Sequence, residues 1–379
     1  MRISLPQHDL ARGVITVGRG VGTAVRKTVP GTGHILLATD EGRLRLSATD
    51  LEIGITLRLA ATIEEEGATV VPARLFAELV NSLPDDRVDL ARTDKAHATA
   101  VACARVTATV RGGDPDEFPR IPAVGDGAAA LIPADLLRTA IGQVAFAAAT
   151  DDARPVFTGV LVTVAGATVT LAAADGVRLA VRSAALAHPV AGDIDALVPA
   201  RALAELARIL PEGDEPVEMT VTPNRAQVLF HTGSLDLVSR VIEGRYVDYS
   251  RIIPQAYATR AIVDVSEFKG AIRTARFFAR DDNNIVRLSL TPGVDGALGT
   301  LTIGAAAADA GDTISQIDAA IEGESQTVAF NIAFIADALG VLPGEQVALE
   351  LSGPAQPGVL RPLDGSDYLC VVMAMSAPR

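Results

Sequence analysis

Tryptophan is absent from this chain, aromatic residues make up 4% of its 379 positions, and cysteine occurs twice. Two cysteines cannot build a disulfide framework or a multi-cysteine zinc site, and Cys103 and Cys370 both sit in alternating apolar runs typical of small buried side chains. No apolar run approaches the roughly 20 residues of a membrane-spanning helix, and no N-terminal signal pattern appears, so a cytoplasmic protein without membrane contact is expected. The five histidines, His8, His34, His97, His188 and His231, are scattered, and no carboxylate pair or Ser/His constellation accompanies them. Nothing in the chain therefore points to a metal, a cofactor or a hydrolytic site. Scarce aromatics and abundant alanine read as compositional bias and carry no functional weight. The net charge of −13 argues against a surface that grips nucleic acid all over, but leaves room for a local basic face.

What the chain does contain is a repeat. Residues 70–84 and 197–211 share the pattern Val-Pro-Ala-Arg, an apolar helical run and a closing Leu-Pro, and residues 329–343 keep its length and ending with Asn331 in place of the proline. Pro72 and Pro199 lie 127 residues apart, and Pro199 and Asn331 lie 132 apart, so the period is close to a third of the chain. Each copy reads as a short amphipathic helix with proline beyond its end, and the first two have Pro72 and Pro199 suited to the first turn. Leu75, Leu79 and Leu83 fall at i, i+4 and i+8, as do Ala202, Leu206 and Leu210, which makes these the expected buried faces. The opposite faces then carry Arg74, Glu78 and Asn81, and Arg201, Glu205 and Arg208.

A larger unit surrounds each copy. Helix candidates over residues 6–19, 133–149 and 265–280 are each followed by alternating strand-like runs, the repeated helix and further strands. The stretches Glu117-Phe118-Pro119-Arg120-Ile121-Pro122 and Asp248-Tyr249-Ser250-Arg251-Ile252-Ile253-Pro254 look like matching linkers. The expected fold class is α+β: three similar domains over residues 1–122, 123–254 and 255–379, with helices packed on antiparallel sheets. In the third unit Lys269, Arg273, Arg276 and Arg280 recur on one helical stripe without an intervening acid. Such a stripe is either a solvated face or a positive surface suited to a polyanion.

Five motifs in order resemble the bacterial DNA sliding clamp, the beta subunit of DNA polymerase III. They are Ala48-Thr49-Asp50-Leu51-Glu52, Val71-Pro72-Ala73-Arg74, Ala174-Asp175-Gly176-Val177-Arg178-Leu179-Ala180, Gly244-Arg245-Tyr246-Val247-Asp248-Tyr249, and Tyr368-Leu369 ahead of Val371-Val372-Met373-Ala374-Met375. The resemblance spans nearly the whole chain. It implies a head-to-tail homodimer forming a ring, helices lining a hole that holds duplex DNA without reading its sequence, and a non-catalytic role as processivity factor in DNA replication. On that resemblance the DNA-facing positions are Arg12, Arg19, Arg26, Lys27 and Arg74 from the first domain, Arg138, Arg201 and Arg208 from the second, and Lys269, Arg273 and Arg276 from the third. Arg74 and Arg201 equally suit i to i+4 pairs with Glu78 and Glu205.

The resemblance further implies a pocket between the second and third domains for short apolar peptides of the polymerase III catalytic subunit and the clamp loader. Its walls would come from Arg154, Phe157, Ala174, Gly176, Val177, Arg178 and Leu179, then Val247 and Ile252, then Phe334, Val371, Met373, Ala374, Met375 and Ser376. The family has an aromatic or histidine at Val177 and proline at Val247 and Ala374, so the pocket's shape should differ. Ring closure would bring Val106 and Ala108 near Phe277 and Phe278. Alternatives are a divergent clamp paralogue serving repair or a specialised polymerase, a scaffold on the same fold that does not bind DNA, and a dinucleotide-dependent enzyme suggested by Gly18-Arg19-Gly20-Val21-Gly22 after the strand-like Val14-Ile15-Thr16-Val17.

Overall fold

The computed structural model describes residues 1–21, 29, 31–93, 97–122, 129–279, 284–295, 297–307 and 311–375. Its chain divides into two compact units, one of residues 1–135 and 190–241, the other of residues 136–189 and 242–379. The helices are α1 (Gln7–Gly18), α2 (Ala73–Ser82), α3 (Ala134–Val144), α4 (Ala200–Ile209), α5 (Val265–Ala279) and α6 (Ile332–Val341).

The first unit holds two antiparallel sheets. One runs Thr62–Glu65, Arg2–Pro6, Arg87–Arg92, Ala98–Cys103, Val106–Arg111 from edge to edge. The other runs Ala129–Pro133, Pro216–Val221, Gln227–Thr232, Leu235–Arg240, Ile53–Ala60, Arg43–Thr49, His34–Asp40, Ala68–Pro72. Its hairpin at Asp40 and Arg43 closes through Glu41 and Gly42, both at positive φ, which matches the right-handed twist of the strands it joins. Helix α1 packs on this sheet and on α2 through Leu10, Gly13, Val14 and Val17. Gly13 is the point of closest approach, because a Cβ there would lie 2.7 Å from Leu59 and 2.8 Å from Leu46.

In the second unit one antiparallel sheet runs Gly159–Ala165, Thr168–Ala174, Arg178–Ala185, Asp367–Val372, Gly358–Pro362, Gln346–Leu351, Thr259–Asp264, Gly311–Gly323, Gly299–Ala307, Ile285–Thr291, Gln326–Asn331. Helix α5 packs against strands Gly299–Ala307 and Gly311–Gly323 and against α6, with Phe268, Ala271, Ile272, Ala275 and Ala279 buried. Arg280 lies outside the described residues.

Three sequence expectations are corrected. Pro72 and Pro199 do not enter the first turn; each is the last residue of a strand and the N-cap, with extended ψ of 121° and 128°, so the missing N–H serves the junction. Leu75 is not part of the buried face of α2, which is formed by Ala73, Phe76 and Val80 with Leu83 behind them, and its side chain is 52% exposed. The helix over 133–149 is shorter, because α3 ends at Val144 and a 3₁₀ turn, Ala145–Ala147, completes the run. Where the third copy loses its proline, Asn331 caps α6 instead, its Oδ1 accepting from the Ala333 N–H at 2.9 Å. Asn331→Ala should cost about 1 kcal/mol at this helix end and accelerate hydrogen exchange in the first turn of α6, whereas Asn331→Asp, which keeps the acceptor, should leave exchange near wild type.

Candidate partner pocket and nucleic-acid face

In the second unit the chain turns between strands Thr168–Ala174 and Arg178–Ala185 through Asp175, Gly176 and Val177. Asp175 Oδ1 accepts the N–H groups of Val177 and Arg178, both at 3.0 Å, and Gly176 takes a φ of +97°. The Arg178 side chain is largely buried, with Nε donating to Asp175 at 3.0 Å and Nη1 to Asp337 at 2.6 Å. Its guanidinium also lies 4.6 Å from the Phe334 ring centre and 5.4 Å from that of Phe146. Both carboxylates it meets belong to this chain, so its charge is balanced within the protein.

Beside this turn Phe157, Ala174, Gly176, Val177, Arg178, Leu179, Val247, Ile252, Val371 and Met373 enclose a cavity of ≈ 70 Å³. Its floor is the cluster of Ala174, Leu179 and Val371 with Ala172, Val181, Val359 and Leu369, and Phe157, Tyr249 and Ile253 pack against that cluster. Val177, Ile252 and Met373 are exposed at its mouth. Strand register sets the floor, since Leu179 faces Val371 directly across the pair. The wall carrying Val247 is tied down by Tyr246, whose hydroxyl accepts the Ala174 N–H at 2.7 Å and whose ring meets Phe157 edge-on at 6.2 Å. Burial raises the Tyr246 hydroxyl to about 12, so the strut keeps its proton across the physiological range. Arg154 covers the rim, its guanidinium 4.7 Å from the Phe157 ring centre and its Nη2 donating to the Asp175 carbonyl at 2.8 Å.

The cations divide into two sets. In the first unit Arg12 pairs with Asp9 at 2.8 Å, Arg19 with Glu205 at 3.1 Å, and Arg74 with Glu78 at 2.9 Å. Arg201 pairs with Asp50 at 2.7 Å rather than with Glu205, because Glu205 is already held by Arg19 and by Arg208 at 2.6 Å. On α5, by contrast, Lys269, Arg273 and Arg276 have no carboxylate within ion-pair distance among the described residues, and Arg273 and Arg276 are exposed. Arg138 is half-buried on α3, and Arg26 and Lys27 lie outside the described residues.

Comparison with known proteins places this geometry. Models of the DNA polymerase III beta subunit match its N-terminal domain over residues 1–122, its central domain over 131–248 and its C-terminal domain over 250–376. The chain is 31% identical to the beta sliding clamp of Synechocystis sp. across 98% of both chains, and 32% identical to that of Bacillus subtilis across 95% and 96%. The chain belongs to the beta sliding clamp family. The solved Bacillus subtilis clamp superimposes with a TM-score of 0.92 at 29% identity, and a Pseudomonas aeruginosa clamp with 0.90 at 26%, each over the whole of both chains. The fold is accordingly three beta-clamp domains of mixed helix and antiparallel sheet.

Within this clamp fold the structure brings together ten of the residues expected at the pocket. Phe334 and Arg154 flank it through their contacts with Arg178 and Phe157, Met375 turns away to donate its N–H to the Ala329 carbonyl, and Ala374 is half-buried beside it. Ser376 lies outside the described residues. Tyr246, Asp175 and Asp337 were missed as site residues. The Gly-Arg-Tyr-Val-Asp-Tyr motif contained the signal for Tyr246, but nothing local could announce Asp337. Glycine-rich residues 18–22 do not follow a strand, since Val14-Ile15-Thr16-Val17 forms the end of α1, and the dinucleotide-turn context is missing. The contrast in cations gives an ordered expectation: replacing Lys269, Arg273 and Arg276 with glutamate should lower the logarithmic salt slope of DNA association by about 0.9 for each phosphate that α5 no longer neutralises. Replacing Arg201 and Arg208, whose charges already face carboxylates, should change that slope much less in fluorescence anisotropy across a salt series.

Proposed function

We propose that two copies of this chain close head to tail around duplex DNA and tether the polymerase III catalytic subunit and clamp loader through short peptides. The domains in this reading are residues 1–122, 123–254 and 255–379. The observation that carries it is a recurring strand addition. Strand Ile53–Ala60 of the first repeat is paired by Leu235–Arg240, the last strand of the second, and Arg178–Ala185 of the second is paired by Asp367–Val372, the last strand of the third. The strands that would make the corresponding third joint are unpaired on one side. Residues 311–319 of the third repeat pair only with Gly299–Ala307, and Val106–Arg111 of the first pairs only with Ala98–Cys103, among the described residues. A strand of one copy added to the other's edge continues the series, and two different surfaces joined in this way form a ring where the rotation from copy to copy closes.

Unpaired cations on α5 suit the inside of such a ring, where they attract phosphates without a base-reading element, and the net charge of −13 disfavours other nucleic-acid contacts. The chain acts here without catalysis. Topological tethering is tested on a nicked circular duplex loaded by a clamp loader: the clamp should stay on the circle and run off once it is linearised, and equal retention on both would exclude encirclement.

The pocket supports peptide docking through one or two apolar anchors, at about 25 cal/mol per Å² of apolar area buried, with affinity near the micromolar range after ordering costs. Neither Val247 nor Ala374 donates its N–H to a partner among the described residues, so proline at either would cost no hydrogen bond. Val247→Pro with Ala374→Pro should therefore tighten binding of a Gln-x-x-Leu-x-Phe peptide by about 0.4–1 kcal/mol, roughly two- to fivefold. Titration calorimetry on both proteins decides it, and unchanged or weaker binding by the folded double variant would mean that the wall is already ordered.

A further inference from the structure

The three repeats place corresponding residues at corresponding points, and two of the three junctions are visible. Counting from the first helical residue of α1, α3 and α5, twelve positions on stand Arg19, Phe146 and Phe277. In α2, α4 and α6, two positions on stand Leu75, Ala202 and Phe334, and five positions on stand Glu78, Glu205 and Asp337.

At the first junction Arg19 meets Glu205 of the following repeat at 3.1 Å. At the second, Arg178 fills the space between Phe146 and the following repeat's Phe334, and its Nη1 reaches Asp337 at 2.6 Å. In both, the end of a first helix faces the second helix of the next repeat, and an arginine bonded to the same carboxylate position fastens them. Within one chain the third junction has no second half. Its two sides are Phe277, 68% exposed, and Leu75, 52% exposed. The carboxylate of the set, Glu78, is bonded at 2.9 Å to Arg74 of its own helix.

We infer that Phe277 of one protomer packs against Leu75 of the other, so that the junction between chains is an apolar contact where both junctions within the chain are fastened by an arginine–carboxylate pair. The inference rests on the head-to-tail reading above and adds what that reading leaves open: which side chain of α2 receives the end of α5, and why Leu75 breaks the amphipathic pattern of its helix. Leu75 points outward because its burial partner is in a second copy. The chemistry also differs between the junctions. An apolar contact has no fixed donor and acceptor to re-form, so it opens and recloses without breaking a charge-assisted hydrogen bond, whereas separating Arg178 from Asp337 would break one.

Sedimentation of the wild-type protein tests the assembly first, and a monomer at every concentration would refute the head-to-tail reading itself. Given a dimer, Leu75→Cys combined with Phe277→Cys should form an interchain disulfide under mild oxidation, and neither single variant should. The native Cys103 and Cys370 are buried and do not compete. Leu75→Glu and Phe277→Lys, both at exposed positions of the free chain, should each raise the dimer dissociation constant by about tenfold or more, and together they should recover most of that loss by forming a pair across the junction. A wild-type dimer from both charged single variants, or a stable dimer whose paired cysteines never cross-link, would overturn the contact while leaving the ring intact.

Discussion

Everything in this fold depends on strands completed by a neighbouring repeat. A repeat of about this size makes its own helices and most of its own hydrogen bonds, yet strand Ile53–Ala60 has one side satisfied only by Leu235–Arg240, and Arg178–Ala185 only by Asp367–Val372. The bonds are backbone to backbone and insensitive to side-chain identity, so the same joint survives between repeats whose sequences have drifted apart. An open strand edge is ordinarily a hazard. Here two such edges mark where the next repeat goes, and residues 311–319 and Val106–Arg111 are the corresponding strands that no neighbour within the chain completes, among the described residues.

The two joints also differ in how closely the linker packs on them. Asp50 and Asp175 hold homologous turns, each accepting two backbone N–H groups on Oδ1. Four residues later stand Gly54 and Leu179. Gly54 lets the linker residue Ile121 come so close that a Cβ there would lie 2.9 Å from its side chain, and the junction fills. Leu179 keeps Ile253 and Tyr249 at the margin of the cluster, Tyr246 props the linker away through Ala174, and space remains. The small residue after one turn and the large one after the other, together with the Tyr246 strut, thus go with a close linker at the first joint and a groove at the second.

The repeat and the helices were legible in the sequence because each is local. Prolines at 72 and 199 and the 3.6-residue spacing each act over a few residues. The ten cavity residues were legible through family motifs and would not have been grouped by periodicity alone, since Phe157, Leu179, Val247 and Val371 come from separate strands and linkers. What stayed hidden was the choice of distant partner. Arg201 had Glu205 at the ideal helical spacing and took Asp50, because Glu205 was already bonded by Arg19 across the junction. Leu75 met every local rule for burial and lies exposed, since Phe76 and Val80 occupy the inward face. For Arg201 a long-range contact outweighed a local preference worth only a few tenths of a kcal/mol, and for Leu75 apolar neighbours on the same helix took the inward face.

The two sets of cations divide the labour that a sliding ring requires. A cation bonded to its own carboxylate is nearly neutral at the distance of a phosphate and contributes to shape more than to attraction, because opposite charges within about 3–4 Å cancel beyond a Debye length of ~8 Å. Arg19, Arg201 and Arg208 are of that kind, and the carboxylates they hold are the ones that join repeats. Lys269, Arg273 and Arg276 are not, and they lie on a helix whose other face is wholly committed to the core. Among the described residues attraction is thereby concentrated on α5, in a chain whose total charge is strongly negative. Phosphates recur at every step of the duplex, so a few free cations keep the same energy at each register and set no barrier to sliding, which a continuous basic lining would trade for retention by charge. In the proposed ring, retention then comes from closure rather than from charge, through the strand edges and the apolar contact inferred at the junction between chains.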